Sequence, residues 1–136
     1  MSYAPSAALQ TALYAHLSSA ALDAPIYDAI PPGTAPDTYI LLGPEEVIDR
    51  SDITARGAEH RLTIAVVTSA TGFLAAKTLA AAICDRLEQP LPALTRGHLV
   101  ALWFDRAEAR RTENGRTRRI DLRFRARIED SPLPTP

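Results

Sequence analysis

The sequence predicts an α+β domain: a mostly antiparallel sheet, two helices packed on one face of it, and a long C-terminal β-hairpin. Three observations predict this arrangement. Two stretches repeat apolar residues at helical period, with Leu9, Leu13, Leu17 and Ala20 in one and Phe73, Ala76, Ala80, Ile83 and Leu87 in the other. Two stretches alternate at period two, with Leu62, Ile64 and Val66 in one and Ile120, Leu122, Phe124, Ala126 and Ile128 in the other. Ahead of the last strand, Asn114-Gly115 supplies the two left-handed positions of a type I′ turn, which joins it to the preceding strand as a hairpin.

In chain order, Ser6 is the expected N-cap of a first helix over residues 6–21, which ends ahead of Asp23-Ala24-Pro25. Ile26-Tyr27-Asp28 reads as a short strand, and Ile30-Pro31-Pro32-Gly33 as a proline-stiffened turn. Tyr39-Ile40-Leu41-Leu42 reads as a second short strand, stopped by Gly43-Pro44. Residues 45–57 mix two β-branched apolar positions with Asp49, Asp52, Thr54, Arg56 and Gly57, predicting a strand end and then a long, polar, mobile loop. Residues 59–69 form the best internal strand. Thr71-Gly72 opens the second helix and Gln89-Pro90-Leu91-Pro92 closes it. Residues 98–104 are a strand with apolar side chains on both faces.

A hairpin centred on Asn114-Gly115 sets Arg106 opposite Arg123 and Arg110 opposite Arg119, and like charges directly opposite are destabilising. A slip of one residue would pair Asp105 with Arg125 instead. A bulge or a solvated hairpin end is expected to relieve the conflict. The whole reads as one domain over residues 1–130 with a disordered tail at 131–136.

With 136 residues the chain is the size of one compact domain, large enough to fold on a hydrophobic core without disulfides or a structural metal. The single Cys84 has no internal partner, and no Cys/His cluster has zinc-ligand spacing. No apolar run approaches the roughly 18 residues of a membrane helix. The start MSYAPSAALQ lacks the positive charge of a secretory signal. A soluble protein made in the cytoplasm, with no membrane partner, is expected.

The net charge of −1 hides a polarity. Residues 1–60 hold eight acids against two arginines, whereas residues 96–127 hold ten arginines against four acids. Fourteen of the fifteen basic residues are arginine, the side chain suited to planar ion pairs at interfaces.

No catalytic constellation emerges: the sequence lacks G-x-S-x-G, H-E-x-x-H, P-loop and G-x-G-x-x-G motifs, and an enzyme is not expected. His16, at the margin of the first helical stripe, reads as a partly buried structural histidine. His60, beside Glu59, reads as a member of a surface pair. Cys84, bordering the second stripe, reads as a packed thiol. Glu45-Glu46 with Asp49 and Asp52 would suit a hard cation. That run lacks the glycine and terminal glutamate of a calcium loop, so a solvated acidic surface is expected, with no metal and no cofactor.

Arg123, Arg125 and Arg127 share one strand face at roughly 7 Å spacing, given a rise of about 3.4 Å per residue. The row could track a phosphate backbone, which makes a small nucleic-acid-binding module the alternative reading. The near-neutral net charge and the few neighbouring aromatics, Trp103 and Phe104, count against it. An acidic half and a basic hairpin on one chain instead suit head-to-tail association of identical subunits into a ring.

Several segments together resemble the tail terminator, or tail completion, proteins of long-tailed bacteriophages and gene transfer agents. They are YDAIPPGT at 27–34, YILLG at 39–43, GAEHRLTI at 57–64, GHLV at 97–100, FDRAEARR at 104–111, GRTR at 115–118 and LRFRA at 122–126. The resemblance spans about residues 6–129. It implies a structural virion protein, a homo-hexamer ring that caps the tail tube protein and offers the head-tail connector protein (stopper or adaptor) a docking surface. DNA passes through the lumen of such a ring without sequence-specific binding. The resemblance also implies a loop at residues 49–58 that orders on assembly. The contact residues expected are Arg123, Arg125 and Arg127 on the sheet face, Arg116 and Arg118 by the hairpin tip, and Asp49, Asp52 and Arg56 in the loop.

Overall fold

A computed structural model describes residues 3–29, 33, 36–53, 56–112 and 115–130. In chain order these form α1 (Ser6–Ser18), β1 (Ile26–Tyr27), β2 (Thr38–Asp49), β3 (Gly57–Thr68), α2 (Leu74–Leu87), β4 (His98–Thr112) and β5 (Thr117–Glu129). The strands make one sheet in the order β1-β2-β3-β5-β4. Every pairing is antiparallel except the short parallel contact of β1 with β2. The predicted class, α+β with a mostly antiparallel sheet, is the one observed.

The period-two alternation decides which side of the sheet is covered. Leu62, Ile64 and Val66 of β3 and Ile120, Leu122, Phe124, Ala126 and Ile128 of β5 point to the same side. There they join Leu9, Leu13 and Leu17 of α1 and Ala76, Ala80, Ile83 and Leu87 of α2 in one buried cluster. Both helical stripes read from the sequence face the core, except that Ala20 falls beyond the end of α1 and outside the cluster, and Phe73, partly buried against it, stands just ahead of α2. A second, smaller apolar cluster lies on the opposite sheet face, where Leu41, Ala65 and Val67 pack with Tyr27 and Tyr39.

Three boundaries differ from expectation for local reasons. α1 stops at Ser18 rather than at residue 21, and Ser6 is its first helical residue rather than its cap. The cap position belongs to Pro5, and the Ser6 hydroxyl donates outward to Glu45 Oε1 at 2.6 Å. Gly43-Pro44 does not stop β2. It forms a bulge between Leu42 and Glu45, with Gly43 at φ 113°, and pairing with β3 resumes at once. A bulge needs no ladder hydrogen bond from the proline nitrogen, so a strand can run through it. β2 consequently reaches Asp49, which pairs with Ala58, and the predicted long loop contracts to residues 50–56.

The hairpin keeps the register set by the Asn114-Gly115 centre at its tip, with Thr112 opposite Thr117 and Arg110 opposite Arg119. Asn114 itself lies outside the described residues, as do Ile30, Pro31 and Pro32 of the predicted proline turn and the tail at 131–136. Nearer the base, irregularities at Val100 and Asp105 shift the pairing, so that Phe104 faces Phe124 and Trp103 faces Arg125.

Candidate interaction surface

The sheet face away from the helices carries Arg123, Arg125 and Arg127 of β5, together with Glu59 and Arg61 of β3. Their alternation with buried Leu122, Phe124, Ala126 and Ile128 fixes that direction. The row is not a bare cationic track. Arg125 Nε stands 3.4 Å from Asp105 Oδ2 and its Nη1 3.8 Å from Glu59 Oε1, charge pairs without hydrogen-bond alignment at Nε. Arg61 Nε donates to Glu59 Oε2 at 2.6 Å. That hydrogen bond holds the Glu59 carboxyl below the usual carboxylate range despite opposing desolvation, and raises the Arg61 guanidinium in turn.

Arg127 turns along the sheet rather than outward, and its Nη2 donates to the Arg50 carbonyl oxygen at 3.1 Å. The guanidinium lies over Gly57, where a Cβ would come within 2.6 Å of Nη2. Arg127 thereby ties β5 to the start of the loop after β2. Between the cations, a shallow groove of about 580 Å³ is bordered by Glu46, Arg61, Asp105, Arg106, Arg123 and Arg125.

The like-charge pairs foreseen from the register are present, Arg106 opposite Arg123 and Arg110 opposite Arg119. Asp121, buried beside them, relieves the second pair: it accepts from Arg119 Nε at 2.7 Å and from Arg110 Nε at 3.4 Å. The relief comes from a diagonal carboxylate rather than from the bulge. The bulge instead sets the Asp105 carboxylate against Arg125.

The predicted contact residues are distributed over four places. Arg123, Arg125 and Arg127 share the outer face as expected. Arg116 is exposed beside Gly115 at the hairpin tip. Arg118 is not with it: its side chain lies on the helix side, 5.5 Å over the Phe73 ring, with Nη1 donating to the Ala70 carbonyl oxygen at 3.0 Å. Arg116 stands in the turn before β5 begins, whereas Arg118 lies within β5 at the parity of the inward Ile120, Leu122 and Phe124, which carries it to the segment ahead of α2. Asp49 closes β2, where Ser51 N and Oγ donate to its Oδ1 at 3.1 and 2.7 Å. Asp52 and Arg56 are exposed in the loop, of which residues 54 and 55 lie outside the described residues.

His60 departs from the surface pair predicted for it. It is fully buried on the helix side, because neighbours along a strand point to opposite faces and Glu59 takes the outer one. Its nearest charged partner is Glu45, with Nδ1 3.7 Å from Oε1, and neither ring nitrogen makes a hydrogen bond. Burial pushes the Glu45 carboxyl up, but His60 and the Ser6 hydroxyl outweigh it and leave the group below its ordinary value. The pair could have been found by extending the β3 alternation by one residue. The acidic run itself is split by the same rule, Glu45 facing the helices and Glu46 the outer side. His16 is buried, as its place on the α1 stripe predicts. The Cys84 thiol is raised by burial, with Asp85 and Glu88 adding to the shift, which is the opposite of nucleophile activation.

The edge strand β4 is the remaining conspicuous surface. Trp103 and Phe104 are 41% and 50% exposed, and Val100 is 50% exposed. Phe104 leans edge-on against Phe124, with ring centroids 5.8 Å apart. Residue exclusion by charge alone would have passed over these side chains.

Among the described residues no helix is long and apolar enough to cross a membrane, and no three His, Cys, Asp or Glu side chains cluster as metal ligands would. The family model for tail completion protein gp17 matches residues 7–129. Among solved structures, a chain in the virion of a native gene transfer agent particle is similar at 50% identity and a TM-score of 0.83, covering 94% of this chain and 99% of that one. No curated protein matches the chain.

Proposed function

The chain belongs to the tail completion protein gp17 family, and from that premise we propose that it is a ring-forming tail terminator, joining the tail tube to the head-tail connector in a phage or gene transfer agent particle. Its work is structural. The observation that carries this reading is the 50% identity to a chain of a gene transfer agent virion over nearly the full length of both. A domain of this size with opposite charges on its two halves suits a repeated subunit, since head-to-tail contacts of unlike patches close into rings.

In this reading six copies form the ring, one rim meeting the tube protein and the other the connector, while DNA passes through the lumen unread. The protein is made in the bacterial cytoplasm and assembles into the virion tail. Arg116, Arg123, Arg125 and Arg127, with Asp49, Asp52 and Arg56, supply the polar contacts, which set orientation and register more than affinity. Arg118 contributes differently, by holding the hairpin against the segment ahead of α2. The ion pairing of Arg125 with Glu59 and Asp105 and the inward turn of Arg127 weigh against the alternative of nucleic-acid binding, because phosphates would have to displace those carboxylates.

The test is the mass in solution of the protein alone and with the tube protein of the same particle. A six-copy ring on the tube end, seen by light scattering and by electron microscopy, is expected. A protein that stays monomeric in the presence of tubes, and leaves tube length uncontrolled, overturns the reading.

A further inference from the structure

Both lateral edges of the sheet present a short open run at the same level. β4 ends the sheet on one side. On the other, β1 pairs only with Ile40 and Leu41 of β2, and among the described residues no strand lies beyond residues 45–48. Rows traced through β3 and β5 carry Glu45 to Phe104 and Ile48 to Ala101. On β4 those four rows are bracketed by the irregularities at Val100 and Asp105, and on β2 they start directly after the Gly43-Pro44 bulge. The two runs therefore match in length and in height.

Strand direction agrees as well. β2, β3, β5 and β4 alternate in direction along the sheet, so β4 runs opposite to β2. A second copy set beside the first, with its sheet facing the same way, brings its β2 antiparallel onto this β4. Charge marks which part of the edge is open. Residues 105–111 carry five charged side chains, the usual guard of a free edge, whereas residues 98–104 carry none. In the incoming copy Glu46, 3.9 Å from its own Arg61, would fall in the row of Trp103, beside Arg125, which already pairs with Asp105 and Glu59, and diagonal to Arg106, for which no acidic partner stands among the described residues. Val47 and Ile48 would fall level with Leu102 and Ala101. Rows traced the same way put Ile26 and Tyr27 of the neighbour's β1 level with Ala109 and Glu108, beyond the bulge at Asp105, the kind of irregularity that bends a strand before it reaches them.

We propose that residues 101–104 on the β4 edge pair antiparallel with residues 45–48 of a second copy of this chain, so that subunits add head to tail by continuing the sheet. The inference rests on the ring-forming reading and names the surface that carries it. Main-chain hydrogen bonds supply the adhesion, as in strand addition generally, and the Glu46 contact fixes the register.

The test uses the full chain with Cys84→Ser, adding Ile48→Cys and Ala101→Cys, mixed with tube protein under a mild copper-phenanthroline oxidant. A ladder of covalent multimers on a non-reducing gel is expected, with none from either single cysteine or from Ile48→Cys with Ala109→Cys. As a second measurement, Glu46→Arg should abolish rings and Glu46→Arg with Arg106→Glu should restore them. Rings that form normally without cross-linking, together with a Glu46→Arg variant that assembles fully, overturn the edge pairing while leaving the ring reading intact. An unmodified protein that forms no ring on tubes overturns both.

Discussion

His16 and Arg86 each hydrogen-bond the main chain of the other. His16 Nε2 donates to the Arg86 carbonyl oxygen at 2.7 Å, and Arg86 Nε donates to the His16 carbonyl oxygen at 3.0 Å. A carbonyl only accepts, so Nε2 carries the ring hydrogen. Each residue stands in the last turn of its helix, where cations are favoured and carbonyls lack intrahelical partners. The clasp therefore completes two helix C-termini at once, and Arg86 Nη2 extends it to the Ser19 hydroxyl at 2.7 Å.

Replacing Arg86 by Ala removes two charge-assisted hydrogen bonds, one to the His16 carbonyl, which keeps the Ser19 hydroxyl as a donor, and one to the Ser19 hydroxyl itself, and a stability loss of about 1–3 kcal/mol is expected in urea unfolding. The double variant with His16→Ala should lose less than the sum of the two single changes, because each removes part of the same clasp. Strict additivity would show that the two residues act independently.

Acid should weaken the fold through Glu59 and Glu45. Both carboxyls are held below the ordinary value of 4.5, Glu59 mainly by the Arg61 hydrogen bond and Glu45 by His60 and Ser6 against the cost of burial. A carboxyl depressed in the folded state binds its proton more readily once unfolded. Its stabilisation is complete above the unfolded value and disappears as pH falls from about 4.5 through the lowered folded value. Thermal melts across pH 7 to 3 should show a falling Tm below that point, and Glu59→Gln should flatten the fall.

What was legible in the sequence follows from periodicity. The core stripes of α1 and α2, the inward sets of β3 and β5 and the outward row of arginines all come from a period of 3.6 or 2, which a single chain displays on its own. Features that depend on a distant segment were not legible. Gly43-Pro44 resembled a stop because its role as a bulge is defined by Leu62 and Ile64 across the ladder. Arg118 resembled a tip residue because Phe73, which holds it, is 45 positions away in the chain. Asp121 reads as a polar residue in a basic strand, and only the pairing with β4 brings Arg110 to it.

Two glycines should respond differently to Ala. Gly97 has φ 81°, and a Cβ there would meet Pro5 Cβ and Cγ at 3.0 Å and Ile128 Cγ2 at 3.1 Å. Backbone strain alone costs about 1–3 kcal/mol for a residue with a side chain in such a conformation. Gly57 is blocked only by the guanidinium of Arg127, the far end of a flexible side chain that can swing aside. Gly97→Ala should therefore lower Tm by several degrees, whereas Gly57→Ala should lower it far less while releasing Arg127 from the Arg50 carbonyl. Equal losses in the two variants would count against this account of Gly57.

Charge reversal on the arginine row should separate folding from assembly. Arg125 lies between Glu59 and Asp105, so Arg125→Glu places three carboxylates together and should lower stability as well as assembly. Arg123 stands opposite Arg106 and Thr63, and a glutamate there would face a cation instead of a like charge. Arg123→Glu should thus leave the melting temperature unchanged or slightly raised. If the outer face takes part in subunit or tube contacts, the same variant should still fail to close rings, because the field presented to the neighbour has changed sign at that point. Folded protein by circular dichroism together with absent rings by electron microscopy is the expected result. Normal rings from Arg123→Glu would remove this arginine from the interface, and normal rings from a folded double reversal of Arg123 and Arg125 would remove the face.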